Sequence, residues 1–244
     1  MQYKASKQKY LCLVKGIREY FSNVDTLIWD RRNKIKVVTF ETEEVVVKSF
    51  KVPHIINRIA YTFFRDSKAK KSYDNSLKIA AFVPRAIGYV SFTKYGLLYD
   101  SYFLSEAYHY DLTIREPLTQ ENYKDKELLF DTFARFTHSL HEVGIEHLDY
   151  SPGNILIKKK ADGYEFKLID INRMQFRELS TEDRIENFSK LWAKDEDLIL
   201  IIKFYAHYAK IDETKAITLA LDASHKHKAA KNLKKRLKGK KVVD

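Results

Sequence analysis

Residues 147–156 read HLDYSPGNIL and carry more functional information than any other stretch of the chain. Four residues, among them the turn formers Ser, Pro and Gly, separate Asp149 from Asn154. An apolar segment further on ends in Asp170. Phosphoryl transfer needs a carboxylate that orients and deprotonates the attacking hydroxyl, and oxygen ligands that hold Mg²⁺ against the nucleotide phosphates. The spacing therefore predicts Asp149 as the catalytic base and Asn154 and Asp170 as magnesium ligands.

The segments on either side of this loop predict a helix before it and a hairpin after it. Between residues 126 and 143, apolar side chains recur every three or four positions, which predicts a helix with one buried stripe. The stripe consists of Leu129, Phe133, Phe136, Leu140 and Val143. Gly144 stands where a glycine commonly ends a helix. Residues 155–169 predict a hairpin with its turn at 161–163, and this hairpin leads to Asp170.

The rest of the C-terminal half is predicted to be helical. Ser180 and the acidic residues after it are typical of a helix N-terminus. The inner face of this helix is predicted to consist of Ile185, Phe188 and Trp192. Two more helical patterns follow up to the C-terminus.

The first third of the chain favours β-strands. Runs of β-branched and aromatic residues occur at 26–29, 35–40, 45–50, 86–90 and 99–105. A polar helical pattern covers Ser67 to Ile79. Strands followed by helices predict an α+β fold with two lobes. We expect a β-rich N-lobe over residues 1–105 and a mainly helical C-lobe over residues 106–244.

Several segments occur in a characteristic order along the chain. They are Asp30–Lys34 before a predicted strand, VVKSFK at 46–51, Ser67–Ala69 at the start of a helix, Ser101–Phe103, and the Asp149 loop. In this order they resemble the protein-kinase-like superfamily and, more narrowly, the bacterial lipopolysaccharide core sugar kinases that phosphorylate Kdo or heptose. The resemblance spans roughly residues 30–173 and implies a two-lobe protein-kinase-like fold.

The resemblance also implies roles for single residues. Lys48 is the strand lysine that neutralises the α- and β-phosphates of ATP. The hinge whose backbone holds adenine is Tyr102 to Glu106. Asp149 is the base, and Asn154 is a metal ligand close to the nucleotide. Asp170 stands where protein kinases carry their magnesium-binding aspartate. The implied cofactors are ATP and Mg²⁺.

Two departures from the protein-kinase pattern concern how ATP is held. Residues 29–35 contain no glycine, so a glycine-rich phosphate loop is missing. We expect the phosphates to be held by backbone amides or by Arg31, Arg32 and Lys34. Ser72 stands where a helix glutamate usually pairs with the strand lysine, and Asp74 is a poor substitute. The partner of Lys48 should therefore come from that helix or from Asp170.

Another departure is the sequence Asp170-Ile171-Asn172, which lacks the Phe and Gly that let protein kinases switch between states. All three departures argue against a regulated protein kinase more strongly than against a sugar kinase.

Each assignment has a structural alternative. The Asp149 loop has the composition of an ordinary turn, Lys48 fits a solvated edge strand, and Asp170 fits a strand end. His147 is interpreted as a brace for the loop. His138 and His141, three positions apart, are interpreted as packing or surface residues in preference to a metal site.

Charge and cysteine usage indicate a cytoplasmic protein with a basic tail. Cys12 is the sole cysteine, and no stretch has the length and apolarity of a secretory signal or a membrane span. Residues 224–244 carry eight of the eleven net positive charges. Such a tail suits the anionic surface of an inner membrane, and its local position argues against a nucleic-acid-binding body. The alternative is a solubilising, frayed helix.

Three functional hypotheses follow. The first is an ATP-dependent kinase that phosphorylates a Kdo or heptose hydroxyl of the lipopolysaccharide lipid A–core, at the cytoplasmic face of the inner membrane. The second is a soluble small-molecule kinase of the aminoglycoside or choline type, although those usually carry an acid where Asn172 stands. The third is a non-catalytic pseudokinase that binds partners.

Overall fold

The computed structural model describes residues 1–24, 27–30, 33–52 and 54–239. The chain forms two compact units. The first comprises Met1–His109 and the short segment Asp170–Asn172, and the second comprises Tyr110–Ile169 and the chain from Arg173 onward. The first unit is rich in strands and the second in helices, which confirms the α+β class.

The first unit is built on a six-stranded sheet in which all neighbouring strands are antiparallel. The strands are β1 (Gln2–Ala5), β2 (Leu27–Asp30), β3 (Asn33–Phe40), β4 (Glu43–Phe50), β5 (Ala86–Lys94) and β6 (Leu97–Glu106). In space they follow the order β1-β5-β6-β4-β3-β2, so β6 and β4 are central strands. The helices of this unit are α1 (Leu11–Lys15), α2 (Ile17–Ser22), α3 (Ile55–Phe63) and α4 (Lys68–Lys78).

The sheet of the first unit has an apolar layer on each face, because successive side chains of a strand alternate between faces. Val47 of β4 belongs to one core cluster with Leu13 of α1. Phe50 of β4 belongs to the other cluster, with Tyr73 of α4. Lys48 has the same parity as Phe50, so β4 carries it on the face that α4 covers.

The sequence patterns predict α4 and five of the six strands, but they do not predict β1 or the helices α1 to α3. These helices have five, six and nine residues. Segments this short give little periodic signal.

The second unit is mainly helical. Its helices are α5 (Arg115–Thr119), α6 (Lys126–Glu142), α7 (Thr181–Asn187), α8 (Asp195–Ala209) and α9 (Glu213–Arg236). Its strands are β7 (Leu112–Thr113), β8 (Ile145–His147), β9 (Ile155–Lys160), β10 (Gly163–Leu168) and β11 (Met174–Phe176). They form a β10-β9-β7 sheet and a β11-β8 pair. The β9–β10 hairpin matches the predicted one.

Helix α6 carries the predicted buried stripe with one exception. Leu129, Phe133 and Leu140 are fully buried, and Phe136 stacks on Phe166 at 5.3 Å between ring centroids. Val143 is 61% exposed, so its assignment to the stripe is wrong. The helix has already ended there, because Gly144 adopts a positive φ of 70° and turns the chain away.

Helix α7 begins as predicted but is shorter than expected. The Ser180 side chain accepts a hydrogen bond from the Asp183 amide, and the Asp183 carboxylate accepts one from the Ser180 amide, which forms a capping box. Ile185 and Phe188 are buried, as expected. The assignment of Trp192 to the inner face is wrong, since α7 ends at Asn187 and the Trp192 side chain is 36% exposed.

A buried histidine connects α6 to α7 and α8. Nδ1 of His141 lies 2.9 Å from the Tyr205 hydroxyl, and Nε2 lies 3.4 Å from Oδ1 of Asn187. The Asn187 side chain donates to the backbone carbonyl of His147 at 3.1 Å. His141 therefore packs and forms hydrogen bonds in the core of this unit. Burial lowers its pKa to about 4, because a charged imidazole would lose its hydration.

We expect the free energy of unfolding to fall as the pH is lowered from about 6.5 to about 4. The unfolded chain protonates this histidine near pH 6.5, whereas the folded chain does so only near 4. Between these values the unfolded state binds more protons and is favoured, by up to about 3 kcal/mol. Urea unfolding of the wild type and of His141→Gln at several pH values measures this. The variant should lack this part of the pH dependence. If the free energy of unfolding of the variant fell with pH as that of the wild type does, His141 would not be its source.

The basic C-terminal region belongs to α9, and part of this helix is packed. Ala216, Ala220 and Ser224 are buried. Further along, Lys228 Nζ donates to the Ala193 carbonyl at 2.7 Å. The region is therefore helical up to Arg236. Lys240 and Lys241 of the predicted tail lie outside the described residues. No helix in the described ranges has the length and apolarity that crossing a bilayer requires.

Candidate active site

In the first unit, Lys48 forms an ion pair with Asp170. Strand β4 holds Lys48 between Ile35 of β3 and Phe103 of β6. Lys48 Nζ lies 2.8 Å from Asp170 Oδ1, and the two side chains are 13% and 31% exposed. The interpretation of Lys48 as a solvated edge-strand residue is wrong, because β4 is a central strand. Of the two predicted sources of its partner, Asp170 is the one observed.

The segment Asp170–Asn172 is held in place by side-chain amides. Asp170 adopts a left-handed backbone with φ of 56°, a region that aspartate tolerates better than most residues. The Asn172 side chain donates to Asp170 Oδ1. Asn75 of α4 donates to the Ile171 carbonyl at 2.7 Å, and Ile171 is buried. These contacts fix the position of the Asp170 carboxylate.

Helix α4 therefore supports the site with an amide where protein kinases use a glutamate. Ser72, at the expected glutamate position, is buried. Asp74 pairs with Lys70 at 2.8 Å. The sequence analysis did not identify Asn75. The available signal was a polar residue three positions after Ser72, on the same side of the helix.

In the second unit, His147 braces the loop that carries Asp149. His147 is fully buried at the end of β8. Its Nδ1 accepts a hydrogen bond from the Asp149 amide at 3.0 Å, and its Nε2 lies 3.0 Å from the Ile169 carbonyl. Nε2 must therefore carry the proton, which fixes the neutral tautomer. The predicted bracing role is confirmed.

Asn154 closes the same loop. It ends a single helical turn at Pro152–Asn154, and its Nδ2 donates to the Asp149 carbonyl at 2.8 Å. This orientation leaves its Oδ1 as the atom that can bind a cation. The Asp149 side chain is partly exposed. No group in the described ranges donates a hydrogen bond to its carboxylate, which leaves it able to accept a proton.

Arg115 lies against this loop and was missed by the sequence analysis. A Cβ atom built on Gly153 would lie 2.8 Å from Arg115 Nη2, so the guanidinium lies directly against this glycine. The Arg115 side chain is exposed and has no ion-pair partner within the described part of the chain. No local pattern marks Arg115, because 38 positions separate it from Gly153.

The predicted adenine hinge coincides largely with a central strand. Residues 102–105 lie within β6, which is paired with β4 and β5. Glu106 ends this strand. Its carboxylate accepts hydrogen bonds from the Arg85 amide at 3.0 Å and from Arg85 Nε at 3.1 Å. The backbone groups of residues 102–105 form hydrogen bonds within the sheet. Of the predicted hinge, only Glu106 lies at the end of the strand.

The residues expected to replace a glycine-rich loop are described only in part. Lys34 lies on β3, opposite Ser49 of β4, and is exposed. Arg31 and Arg32 lie outside the described residues.

The oxygen ligands available suit magnesium. Within the described ranges, His, Cys, Asp and Glu side chains form no group of three or more that could hold a metal. Mg²⁺ does not need such a cage, because it commonly binds one or two carboxylates together with nucleotide phosphates and water. Asn154 Oδ1 in the second unit and the Asp170 carboxylate in the first unit are each an oxygen ligand of this kind.

Comparisons with known proteins bear on the family and the fold of the chain. A family model described as lipopolysaccharide kinase (Kdo/WaaP) family matches residues 64–216 of the 244. No curated protein sequence matches the chain. A solved structure of "WaaP in complex with acyl carrier protein" is similar, with a TM-score of 0.60 and 13% identity over 93% of this chain and 99% of that one. At this identity the likeness concerns the fold alone, and it confirms the predicted protein-kinase-like fold. The chain belongs to the lipopolysaccharide kinase family and is a phosphotransferase that acts on a hydroxyl group.

Proposed function

We propose that the protein transfers the γ-phosphate of ATP to a Kdo or heptose hydroxyl in the lipid A–core of lipopolysaccharide. The observation that carries this proposal is the Asp149 carboxylate, which is unpartnered within the described ranges and lies on a loop braced by His147 and Asn154. A carboxylate in this state can receive the proton of the attacking hydroxyl. The family match supports lipopolysaccharide as the substrate class.

In the proposed mechanism Asp149 orients the sugar hydroxyl and accepts its proton as the oxygen attacks the γ-phosphorus. The bond from the γ-phosphorus to the β,γ-bridging oxygen breaks, ADP leaves, and the proton passes from Asp149 to solvent. The backbone of Asp149 has a fixed position before reaction, because its amide donates to His147 and its carbonyl accepts from the Asn154 side chain. Preorganised groups of this kind lower the barrier most effectively.

The remaining predicted residues are assigned to the nucleotide. Asn154 Oδ1 and Asp170 would hold Mg²⁺, which when bound neutralises charge on the phosphates. Lys48 would contact the α- and β-phosphates, and its pairing with Asp170 supports this role. The backbone at Glu106 would receive adenine. Lys34, with Arg31 and Arg32, would replace the missing glycine-rich loop.

Arg115 is proposed to bind an anionic group of the acceptor. Its guanidinium lies against Gly153 in the same loop as Asp149. A guanidinium binds carboxylates and phosphates with two parallel hydrogen bonds. Kdo carries a carboxylate, and lipid A carries phosphates, so this chemistry suits the proposed substrate.

We expect Arg115→Ala to raise KM for the acceptor about tenfold or more, since a hydrogen bond to a charged group contributes roughly 1.5–3 kcal/mol. The turnover number should change little. Arg115→Lys should recover only part of the affinity, because the two-pronged geometry is lost. Arg135→Ala removes another exposed arginine of the second unit and serves as control. An unchanged acceptor KM in Arg115→Ala would remove Arg115 from the acceptor site.

Location at the cytoplasmic face of the inner membrane is part of the proposal. Lys226, Lys231 and Lys234 are exposed on α9, and each cation near an anionic lipid surface contributes about 1 kcal/mol.

The residue type at Asn172 argues against the small-molecule kinase alternative. The enzymes of that class usually carry an acid at this position, whereas the Asn172 amide donates to Asp170. A carboxylate could not make this hydrogen bond unless it were protonated. The pseudokinase alternative is opposed by the formed Lys48–Asp170 pair.

A panel of water-soluble core fragments that end in Kdo or in heptose identifies the acceptor. Each fragment is incubated with ATP and Mg²⁺, and phosphate addition is located by tandem mass spectrometry. We expect phosphate on one of the two sugars. Phosphorylation of aminoglycosides or choline with no transfer to core fragments would contradict the proposal.

A further inference from the structure

Helix α3 turns its apolar side to solvent. Ile55, Ile56 and Phe63 are 55%, 78% and 67% exposed, and Phe64, the next residue, is 81% exposed. No residue of α3 is buried. We refer to Ile55, Ile56, Ile59, Phe63 and Phe64 as the α3 apolar face.

The side of α3 that contacts the rest of the first unit is polar. Arg58 Nε donates to the Leu98 carbonyl at 2.8 Å, and the Leu98 amide donates to Thr62 Oγ1 at 2.9 Å. Arg58 also reaches the Lys94 carbonyl at 3.5 Å. Surface helices normally bury the apolar side and expose the polar one. In α3 this order is reversed, so its apolar side is positioned for a partner that the described part of the chain does not provide.

Cations outnumber acidic residues around the α3 apolar face. Residues 51–65 contain Lys51, Arg58 and Arg65 and no acidic residue, and the next residue, Asp66, pairs with Lys70 at 3.0 Å. The adjacent end of β5 adds Lys94, whose Nζ lies 5.5 Å from the ring centres of both Tyr95 and Tyr99. Tyr95 is 91% exposed. Apolar side chains beside cations and tyrosines are typical of protein surfaces that lie in a membrane interface.

We propose that the α3 apolar face inserts into the headgroup region of an anionic lipid bilayer, with Lys51, Arg65 and Lys94 close to lipid phosphates. The absence of acidic residues from residues 51–65 makes this surface complementary to anionic lipid. The choice of a bilayer over a protein partner rests on the proposed function, since the acceptor there is a lipid. This surface belongs to the first unit and is distinct from the basic part of α9.

A paired substitution tests the insertion. Ile56→Gln with Phe63→Gln (the α3 variant) changes two of the most exposed apolar side chains and no buried one. Leu128→Gln with Val143→Gln is the matched control, since these side chains are 53% and 61% exposed in the second unit. Binding is measured by co-sedimentation with vesicles of phosphatidylcholine and phosphatidylglycerol. We expect the α3 variant to lose binding about tenfold or more and the control to lose little. Thermal melts verify that both variants fold.

The salt dependence of vesicle binding distinguishes the α3 apolar face from the basic part of α9. Lys226→Gln, Lys231→Gln and Lys234→Gln together neutralise exposed cations of α9. Any loss of binding in this variant should shrink as salt is raised, because salt screens charges beyond roughly 8 Å at physiological ionic strength. The loss in the α3 variant should persist at high salt, because apolar insertion is not screened. A loss in the α3 variant that salt abolishes would overturn the insertion.

A tryptophan probe tests the contact directly. Ile56→Trp should show a blue-shifted emission when vesicles are added and should be quenched by brominated lipids, beyond the response of the wild type. An unshifted spectrum, or an α3 variant that binds vesicles as well as the control does, would overturn the inference. A lipid-free dimer of the wild type that the α3 variant fails to form would overturn it too, since the face would then be a protein interface.

The result of the vesicle-binding test does not depend on whether the substrate is assigned correctly. The α3 variant should phosphorylate a water-soluble core fragment at the wild-type rate and lose activity only on acceptor embedded in vesicles. Vesicle binding that depends on α3, without phosphorylation of any core sugar, would overturn the proposed substrate and leave the membrane surface standing.

Discussion

Asp149→Asn should lower the turnover number by about 10³-fold and leave the affinity for ATP nearly unchanged. Asparagine has the shape of aspartate but cannot accept the hydroxyl proton at neutral pH. The backbone amide of residue 149 can still donate to His147, and its carbonyl can still accept from Asn154. The loop should therefore keep its conformation. A loss confined to the chemical step lowers the turnover number without raising KM.

Asp162→Asn is the matched control for this substitution. Asp162 is an exposed residue in the turn of the β9–β10 hairpin, so the same chemical change there should leave turnover intact. Fluorescent-nucleotide titration measures ATP affinity, and circular dichroism verifies the fold. Near-normal turnover of Asp149→Asn would show that another group accepts the proton.

Asp170→Asn should raise the magnesium concentration needed for half-maximal activity about tenfold or more and lower maximal turnover as well. The substitution removes a negatively charged ligand, and Mg²⁺ binds hard anionic oxygen. It also leaves Lys48 without its observed partner. Because the Lys48 side chain is only 13% exposed, an unpaired ammonium there should also lower the melting temperature.

Asp74→Asn provides the control for this second prediction. Asp74 belongs to the same unit and pairs with Lys70 on α4, outside the proposed site. Its substitution should not change the magnesium response. Lys48→Met combined with Asp170→Asn should restore part of the thermal stability, because no buried charge is then left unpaired, but it should not restore activity. An unaltered magnesium response of Asp170→Asn would exclude Asp170 as a ligand.

The sequence predicts those parts of the fold in which a local pattern extends over many residues. Helix α6 has seventeen residues and a sustained stripe, and its bounds agree with the prediction within one residue. The strands β3, β4 and β5 are eight or nine residues long and rich in β-branched or aromatic residues. Short elements such as α1 and α2 depend on packing against the sheet and give no comparable signal. Val143 and Trp192 continue a helical spacing beyond the point at which the helix has ended, and periodicity alone cannot show this.

The candidate site also has residues that the sequence predicts and residues that it does not. Asp149, Asn154 and Asp170 are close in sequence, so their spacing reveals them, and the resemblance to sugar kinases adds Lys48. Asn75 and Arg115 are not predicted, because their partners are remote in sequence. Asn75 contacts Ile171, 96 positions away. The reversed polarity of α3 is also hidden, because the period of a helix does not reveal which side faces the core.

The central claim is that this chain phosphorylates a sugar of lipopolysaccharide and uses Asp149 to do so. The most direct measurement is mass spectrometry of purified lipid A–core incubated with ATP, Mg²⁺ and either the wild type or Asp149→Asn. We expect one added phosphate on a Kdo or heptose residue with the wild type and almost none with the variant. Absence of transfer to any core acceptor, or equal transfer by both proteins, would contradict it.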